Sequence, residues 1–303
     1  MLSSRRCDEI EEEKLLRAGR IAKKVLDYAI NITKPGVPVI EICNQVEKRI
    51  IELGGKPAFP CNVSIDDIAA HYSSPIEDKT VIPEGALVKI DVGVHIDGYI
   101  ADTAKTICFN QQLSDLVESA EEALNEALCA IKAGVEVRKI SSIIEKTIKR
   151  YGFKPIKNLS GHLMKRYLLH GGKSIPNIAE NCKGKILEGE VYAIEPFSTT
   201  GVGMVGDLNK AYIYNFIKVK GANNKREKKF LKVIKSKFRN LPFSERWLVD
   251  FFPSHEVKLL LKKFVKEGAL HEYPVLREIS GGIVAQAEHT VIVKRDGVII
   301  TTK

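Results

Sequence analysis

Apolar residues recur along this chain at two periods, and the periods divide it into elements. Leu15, Ala18, Ala22, Val25 and Ala29 follow each other three or four positions apart, so residues 9–32 predict a helix, stopped by Pro35-Gly36. A second helix is predicted over 38–53, closed by Gly54-Gly55. Short β runs follow at about 86–94 and 99–108, then helices near 113–132 and 136–151, then strands near 190–198 and 282–294. Helices followed by antiparallel strands predict an α+β fold in which helices cover one face of a curved sheet.

The chain also repeats itself once. At an offset of 98, Gly36, Val37, Val39, Ile42, Glu47, Lys48, Ile50, Gly54, Lys56 and Pro57 recur as Gly134, Val135, Val137, Ile140, Glu145, Lys146, Ile148, Gly152, Lys154 and Pro155. Further on, at an offset of 104, Ile82-Pro83-Glu84-Gly85 through Ile90-Asp91 matches Ile186-Leu187-Glu188-Gly189 through Ile194-Glu195. A solenoid needs three or more copies, so a single duplication predicts two similar half-domains about a pseudo-twofold axis. The repeat breaks after Phe197. Residues 201–277 have no counterpart, are rich in Lys and Leu, show helical patterns near 225–238 and 255–267, and return toward the sheet at 269–276 through Tyr273-Pro274. The expected organisation is a duplicated domain over 1–200 and 278–303, with a helical, winged-helix-like insertion over 201–277.

Chemistry concentrates in the β runs. Asp97-Gly98 between Ile90-Asp91-Val92-Gly93-Val94 and Ile100-Ala101-Asp102-Thr103 is a strong hairpin signal. With a two-residue loop, 93 faces 102 and 91 faces 104. Asp91 and Asp102 then share a face as diagonal neighbours, roughly 6–8 Å apart. Two carboxylates among Ile90, Val92, Val94 and Ile100 repel and resist ionisation. A divalent cation, a shared proton or a wet face would each resolve this. Glu195, the symmetry mate of Asp91, lies in Val191-Tyr192-Ala193-Ile194-Glu195-Pro196-Phe197, and Glu288 lies in the last strand. An edge-strand or salt-bridged role explains any one of these acids singly. Four from one domain carry four negative charges, which two divalent ions neutralise, and that is the arithmetic of a two-metal hydrolytic site.

The histidines sort by context. His162 follows Asn158-Leu159-Ser160-Gly161, a turn able to aim a ring inward, and His170 precedes Gly171-Gly172. His71 and His170 fall in similar places in the two halves. His95, His255 and His271 read as structural or surface residues, and His289 should face away from Glu288. Competing motifs fail. Gly172-Lys173-Ser174 lacks the first glycine of a phosphate loop, since position 167 is Tyr. There is no G-x-S-x-G elbow and no H-E-x-x-H.

Composition changes the picture in three places. Residues 1–20 hold Glu9, Glu11, Glu12 and Glu13 and no apolar run, which argues against a secretory signal, and no stretch is apolar enough for a membrane span. Cys7, Cys43, Cys61, Cys108, Cys129 and Cys182 are scattered and never spaced C-x-x-C, so reduced core cysteines in a cytoplasmic protein are expected. The net charge of +9 is uneven: between Lys218 and Arg239 lie ten Lys or Arg and one acid, Glu227. A solvated helix face accounts for that run. A surface that meets nucleic acid or the ribosome is the sharper alternative to that first reading, without an aromatic–basic pattern for direct base reading.

Taken together, Gly55-Lys56-Pro57-Ala58-Phe59-Pro60, Ala69-Ala70-His71-Tyr72, Lys89-Ile90-Asp91-Val92-Gly93, Ile100-Ala101-Asp102-Thr103, Ser160-Gly161-His162, Ala193-Ile194-Glu195-Pro196-Phe197 and Gln286-Ala287-Glu288-His289-Thr290 make the chain resemble the methionine aminopeptidases of type 2, of the short archaeal kind. The resemblance spans nearly the whole sequence and implies the duplicated pita-bread fold with a helical insertion. It implies five ligands to two divalent ions (Co, Mn, Fe or Zn): Asp91, Asp102, His162, Glu195 and Glu288, with Asp102 and Glu288 bridging. It implies that Glu195 moves a proton, that His170 serves the scissile carbonyl and that His71 serves the amide nitrogen. It implies a methionine pocket walled by Phe59 and Phe197 and closed by Tyr273 and Leu276. The histidine that some relatives carry near the pocket is Ile213 here, so that position is not counted. The implied activity removes the initiator methionine of nascent chains before small second residues, by a monomer in the cytoplasm, with ribosome contact through the basic run as a further partner. An Xaa-Pro peptidase shares the fold and ligands but commonly has an extra N-terminal domain, and only 70 residues precede His71. A metal-free binding module would have lost ligands, and none is missing.

Overall fold

The computed structural model describes residues 2–303, with side chains from residue 9 onward. The first half runs α1 (Leu2–Ile32), α2 (Val39–Glu52), β1 (Lys56–Pro57), β2 (Asn62–Ile65), β3 (Ile68–Ala70) and the hairpin β4 (Leu87–Ile96) and β5 (Tyr99–Cys108). The second runs α3 (Ser114–Ala130), α4 (Val137–Arg150), β6 (Lys154–Pro155), β7 (Ser160–Met164), β8 (Ser174–Pro176), β9 (Val191–Ile194) and β10 (Phe197–Thr199). Then come β11 (Val205–Phe216), α5 (Lys225–Phe238), β12 (Phe243–Ser244), α6 (Ser254–Lys266) and β13 (Leu270–Glu278), before β14 (Val284–Lys294) and β15 (Gly297–Ile300) close the chain.

The apolar stripe from Leu15 to Ala29 is buried, and it packs α1 and α2 onto β4 and β5 with Val46, Ile50, Val88 and Ile90. A second core joins α3 and α4 to β9 and β14 through Leu124, Ile140, Ile144, Ile194 and Val291. Burial of such side chains, worth about 1.5–3 kcal/mol each, is what holds the helices on the sheet. The main sheet has the order β1-β4-β5-β14-β9-β7-β8, with the shorter strands at its margins, and every pairing in it is antiparallel.

The internal repeat is physical. Gly36 N–H donates to Ile82 O at 2.8 Å, and Gly134 N–H donates to Ile186 O at 2.8 Å. The isolated bridges Pro38–Val81 and Glu136–Lys185 obey the same two offsets, 98 and 104.

The insertion is not purely helical. α5 and α6 fall where the periodicity places them, and their apolar faces share a core with Phe243, Leu248 and Phe252. Around them β12, β11 and β13 form a sheet whose fourth strand, β3, comes from the first half. Register shifts between Asp207 and Ala211 and between Ala211 and Ile213 break the alternation along β11, which hides it as a strand in the sequence. The cysteine expectation also needs correction. Cys43 and Cys61 are buried, Cys108 and Cys182 are half-buried, and Cys129 is exposed at the end of α3. The side chain of Cys7 lies outside the described residues.

Candidate metal centre

Three adjacent strands place acids in one cross-strand row. Asp91 on β4 faces Ala104 on β5, and Glu288 on β14 faces the same Ala104. Gly93 faces Asp102, so Asp102 stands on this face two residues along β5 from the row. The small Ala104 leaves the space between the flanking acids open. Side-chain bonds hold the register. Thr290 Oγ1 accepts from the Asp102 N–H at 2.7 Å and donates to Asp102 O at 2.8 Å, and Thr103 Oγ1 donates to Glu288 O at 2.9 Å.

The imidazole arrives from β7, where His162 faces Ala193 of β9, and Glu195 follows that strand on the same face as Ala193. His162 Nδ1 lies 2.9 Å from Leu169 O, and a carbonyl only accepts, so Nδ1 carries the proton and Nε2 is bare. That nitrogen lies 3.6 Å from Asp102 Oδ2 and 3.4 Å from Glu195 Oε1. Asp102, His162 and Glu288 each offer a ligand atom, all within 4.8 Å of one another. Glu195 joins this set through His162, and Asp91 joins it as the diagonal neighbour of Asp102.

Electrostatics makes the cluster costly without a cation. Burial pushes the Asp91 carboxyl up to about 7. Burial, reinforced by neighbouring carboxylates, raises Asp102, Glu195 and Glu288 well above the ordinary range. Burial lowers His162 to about 3, with His170 adding to the effect. Asp91 Oδ1 and Asp102 Oδ1 are buried with no hydrogen-bond partner. Among the described residues no Lys or Arg pairs with any of the four acids, and buried Lys89 spends its ammonium on Asp66 O (2.7 Å) and Val284 O (2.8 Å). Orphaned carboxylate oxygens beside a bare imidazole nitrogen are the donor set a divalent cation takes, so the residues present fit a metal.

The acids and His162 line a cavity of about 360 Å³ that also presents Phe59, His71, His170, Phe197 and Tyr273. His71 sits at the end of β3 with φ 64, and its Nδ1 donates to Pro274 O at 3.0 Å, which frees Nε2; burial lowers its pKa to about 4. The His170 ring centroid is 4.5 Å from that of His162. Tyr273 stands between the two remaining histidines, 5.7 Å from His71 and 6.3 Å from His170. Phe59 lies so close to Gly93 that a Cβ there would come within 2.2 Å of its ring, so that position demands glycine.

Leu276, expected at the pocket, pairs with Ala70 and shares an apolar cluster with Phe197 behind the cavity wall. Leu169, Ile213 and Pro242 also line the cavity; none is among the expected pocket residues, Ile213 because it stands where some relatives carry a histidine. Leu169 could have been suspected from its neighbour His170. Pro242 carries no local signal, because the fold of the insertion alone brings it there.

Residues 13–295 match the model of metallopeptidase family M24. A methionine aminopeptidase from Thermococcus onnurineus is 49% identical over 293 residues, 96% of this chain and 99% of that one. One from Methanothermobacter thermautotrophicus is 45% identical over 294 residues, 96% of this chain and 98% of that one. Among solved structures, that of a thermophilic Arx1 superposes with a TM-score of 0.83 at 23% identity, covering 95% of this chain and 90% of that one. That of the Thermotoga maritima methionine aminopeptidase does so with 0.70 at 22%, covering 97% and 96%. At those identities the structures speak for the pita-bread fold, while the near-full-length sequence relatives speak for the activity. This chain belongs to metallopeptidase family M24, and within it to the methionine aminopeptidases.

Proposed function

We propose that the cavity removes the N-terminal methionine of nascent polypeptides, with two divalent ions held by Asp91, Asp102, His162, Glu195 and Glu288. One observation carries this reading: four carboxylates and one bare imidazole nitrogen converge on a single face, beside a pocket with an apolar wall. Such ions polarise a carbonyl and lower the pKa of water, which is the chemistry that amide hydrolysis at neutral pH needs. One imidazole among carboxylates is a hard donor set that suits Mn, Fe(II), Co or Zn.

The chain's own residues supply the rest. Asp102 and Glu288 lie centrally and are suited to being shared between two ions. Glu195 accepts the proton released by the attacking water and returns it to the leaving amine. His170 hydrogen-bonds the scissile carbonyl oxygen as negative charge develops there, and His71, with Nε2 free, serves the amide nitrogen. Asp91 lies where the free α-amine would sit, which restricts cleavage to the first residue. Phe59, Phe197 and Tyr273, with Leu169, Ile213 and Pro242, enclose the methionine side chain; Leu276 supports Phe197 from behind.

The test is hydrolysis of Met-Ala-Ser against Xaa-Pro peptides, with EDTA and metal add-back. Metal-restored release of methionine supports the reading, and a preference for Xaa-Pro peptides overturns it. The reading includes a type 2 arrangement, with the insertion over 201–277 set between catalytic segments 1–200 and 278–303. A preference for small second residues and action as a cytoplasmic monomer complete the proposal. No helix among the described residues is long and apolar enough to cross a membrane.

The basic run favours one additional partner. Lys225, Lys228, Lys232 and Lys235 are exposed, at spacings that put them on one side of α5, a stripe suited to ribosomal RNA. Reversing these charges should weaken salt-sensitive ribosome binding, and undiminished co-sedimentation would remove this part of the proposal.

A further inference from the structure

Three parts of the fold meet at one ring, that of Tyr167. Its backbone N–H donates to Gly98 O at 2.9 Å, and the neighbouring Arg166 Nε donates to Asp97 O at 2.9 Å. The ring lies flat against Gly98, where a Cβ would come within 2.3 Å of it, and meets His95 edge-on at 5.6 Å. These contacts join Tyr167 to the tip of the hairpin that carries Asp91 and Asp102. Two guanidinium groups lie over the ring: that of Arg166 at 5.7 Å and, closer, that of Arg239, the residue that ends α5, whose guanidinium carbon is 4.3 Å from the centroid.

Arg239 holds this place at a cost. Its φ of 55 and ψ of −118 lie in a region that favours glycine. A side chain persists in such a conformation only where its surroundings over-determine it, and strain of this kind gathers at functional sites. The neighbours of Tyr167 along the chain give the contact a use. Lys165 and Leu168 exchange backbone hydrogen bonds at 2.9 Å, closing a tight turn around Tyr167, which itself has φ 56. The next residue, Leu169, accepts the His162 Nδ1 proton, and His170 comes after it. Two residues beyond Arg239, Leu241 is buried in the apolar cluster of Phe59, Met164 and Leu169, and Pro242 reaches the cavity.

We infer that Arg239 is a positioning residue: by gripping Tyr167 it fixes the 165–170 turn against the hairpin tip, and so sets His170 in the cavity. The insertion then does more than roof the pocket; it holds a turn of the second half-domain in register against the hairpin of the first. The consequence for turnover rests on the proposed role of His170, whereas the grip on the turn stands by itself.

Arg239→Gly separates the two. It removes the grip and also relieves the backbone, so global stability should be undiminished and any loss of turnover is not a loss of fold. The expected result is amide hydrogen exchange in the 165–170 segment faster by about tenfold, with an unfolding midpoint no lower than the parent's. On Met-Ala-Ser, kcat should fall about fivefold or more while KM stays within roughly twofold. Arg239→Lys and Tyr167→Phe keep a cation and a ring respectively and should retain most of the parental kcat, whereas Tyr167→Leu should behave as Arg239→Gly does. Unchanged exchange in Arg239→Gly overturns the grip, whatever the activity. Faster exchange with parental kcat overturns the positioning role. A parent that releases no methionine with any metal would instead refute the proposed reaction, leaving hydrogen exchange to decide the grip.

Discussion

Arg246 and Glu47 form a two-pronged buried ion pair between the insertion and α2, with Nη2–Oε1 at 2.7 Å and Nη1–Oε2 at 3.1 Å. The carboxylate also accepts from Trp247 Nε1 at 2.7 Å and from the Cys61 N–H at 3.2 Å, and Arg246 Nε donates to Ser74 O at 2.7 Å. Every strong donor here has a partner, which is the condition under which a buried ion pair is tolerated. Glu47→Ala would strand the guanidinium and should cost roughly 3–5 kcal/mol, measurable by urea unfolding. Trp247 is the sole tryptophan, so its fluorescence should change with the same midpoint. A loss below about 1 kcal/mol would show that solvent reaches the pair.

Glu278, the last residue of β13, ties the segment before β11 to the turn before β14. Its Oε1 accepts from the N–H groups of Val202 (2.8 Å) and Gly203 (3.2 Å), and its Oε2 from Ser280 Oγ (2.6 Å), Ser280 N (2.8 Å) and Gly282 N (2.9 Å). Burial alone would raise this carboxyl, yet the Ser280 hydroxyl and the ring of N–H donors outweigh it and hold the pKa at about 2. A carboxyl whose folded pKa is depressed contributes stability that is full above its unfolded value and lost as pH falls toward the folded one. The contribution should therefore fade between pH 4.5 and about 2. Glu278→Gln would aim an amide NH₂ at N–H donors and should cost about 1–3 kcal/mol at neutral pH. Denaturant midpoints measured across the acid range check this, and parallel parent and variant curves would refute it.

Metal should stabilise the fold as well as enable turnover. An ion that binds only the folded state at a hundred times its Kd adds about 2.7 kcal/mol, so metal add-back after EDTA should raise the unfolding midpoint. Asp102→Ala removes the acid that approaches both His162 and Glu288, and should abolish the metal-dependent rise together with turnover. An Asp102→Ala protein that still gains stability from Mn or Co and cleaves Met-Ala-Ser would end the shared-ligand reading.

His170 should separate catalysis from metal binding. It stands beside His162 and outside the tight ligand set of Asp102, His162 and Glu288. His170→Ala is expected to lower kcat by about 10²–10³ while leaving metal affinity within a few-fold, as expected of a donor to a developing oxyanion. Calorimetric metal titration beside steady-state kinetics tests both halves, and a parallel collapse of affinity would make His170 a ligand.

Much of the candidate site was legible because its information is local. Asp97-Gly98 sets the hairpin, the hairpin sets the register, and alternation then places Asp91 and Asp102 on one face, as found. Sequence repetition located Glu195 in the same way, by analogy with Asp91. His289 indeed turns from the acids, toward Thr302 Oγ1 at 2.8 Å. Where periodicity was broken, reading stopped. The irregular β11 went unseen, and Ile213, named only as the place of a histidine that this chain lacks, was not counted in the cavity that it lines. Cys129 on α3 was expected in the core and is exposed, because a scattered cysteine carries no period that tells one helix face from another.

From its sequence alone this chain determined its helices, its hairpin, its duplication and the identities of the groups that converge on the cavity, since each depends on spacing within a few residues or on likeness between two segments. Only the tertiary structure decided which carboxylate oxygens lack a partner, which residues line the cavity and where residues 201–277 meet the rest of the chain. Glu47 and Arg246, or Tyr167 and Arg239, lie far apart along the chain, and no periodicity links them. Their meeting is a property of packing, in which each contact depends on every other element being in place.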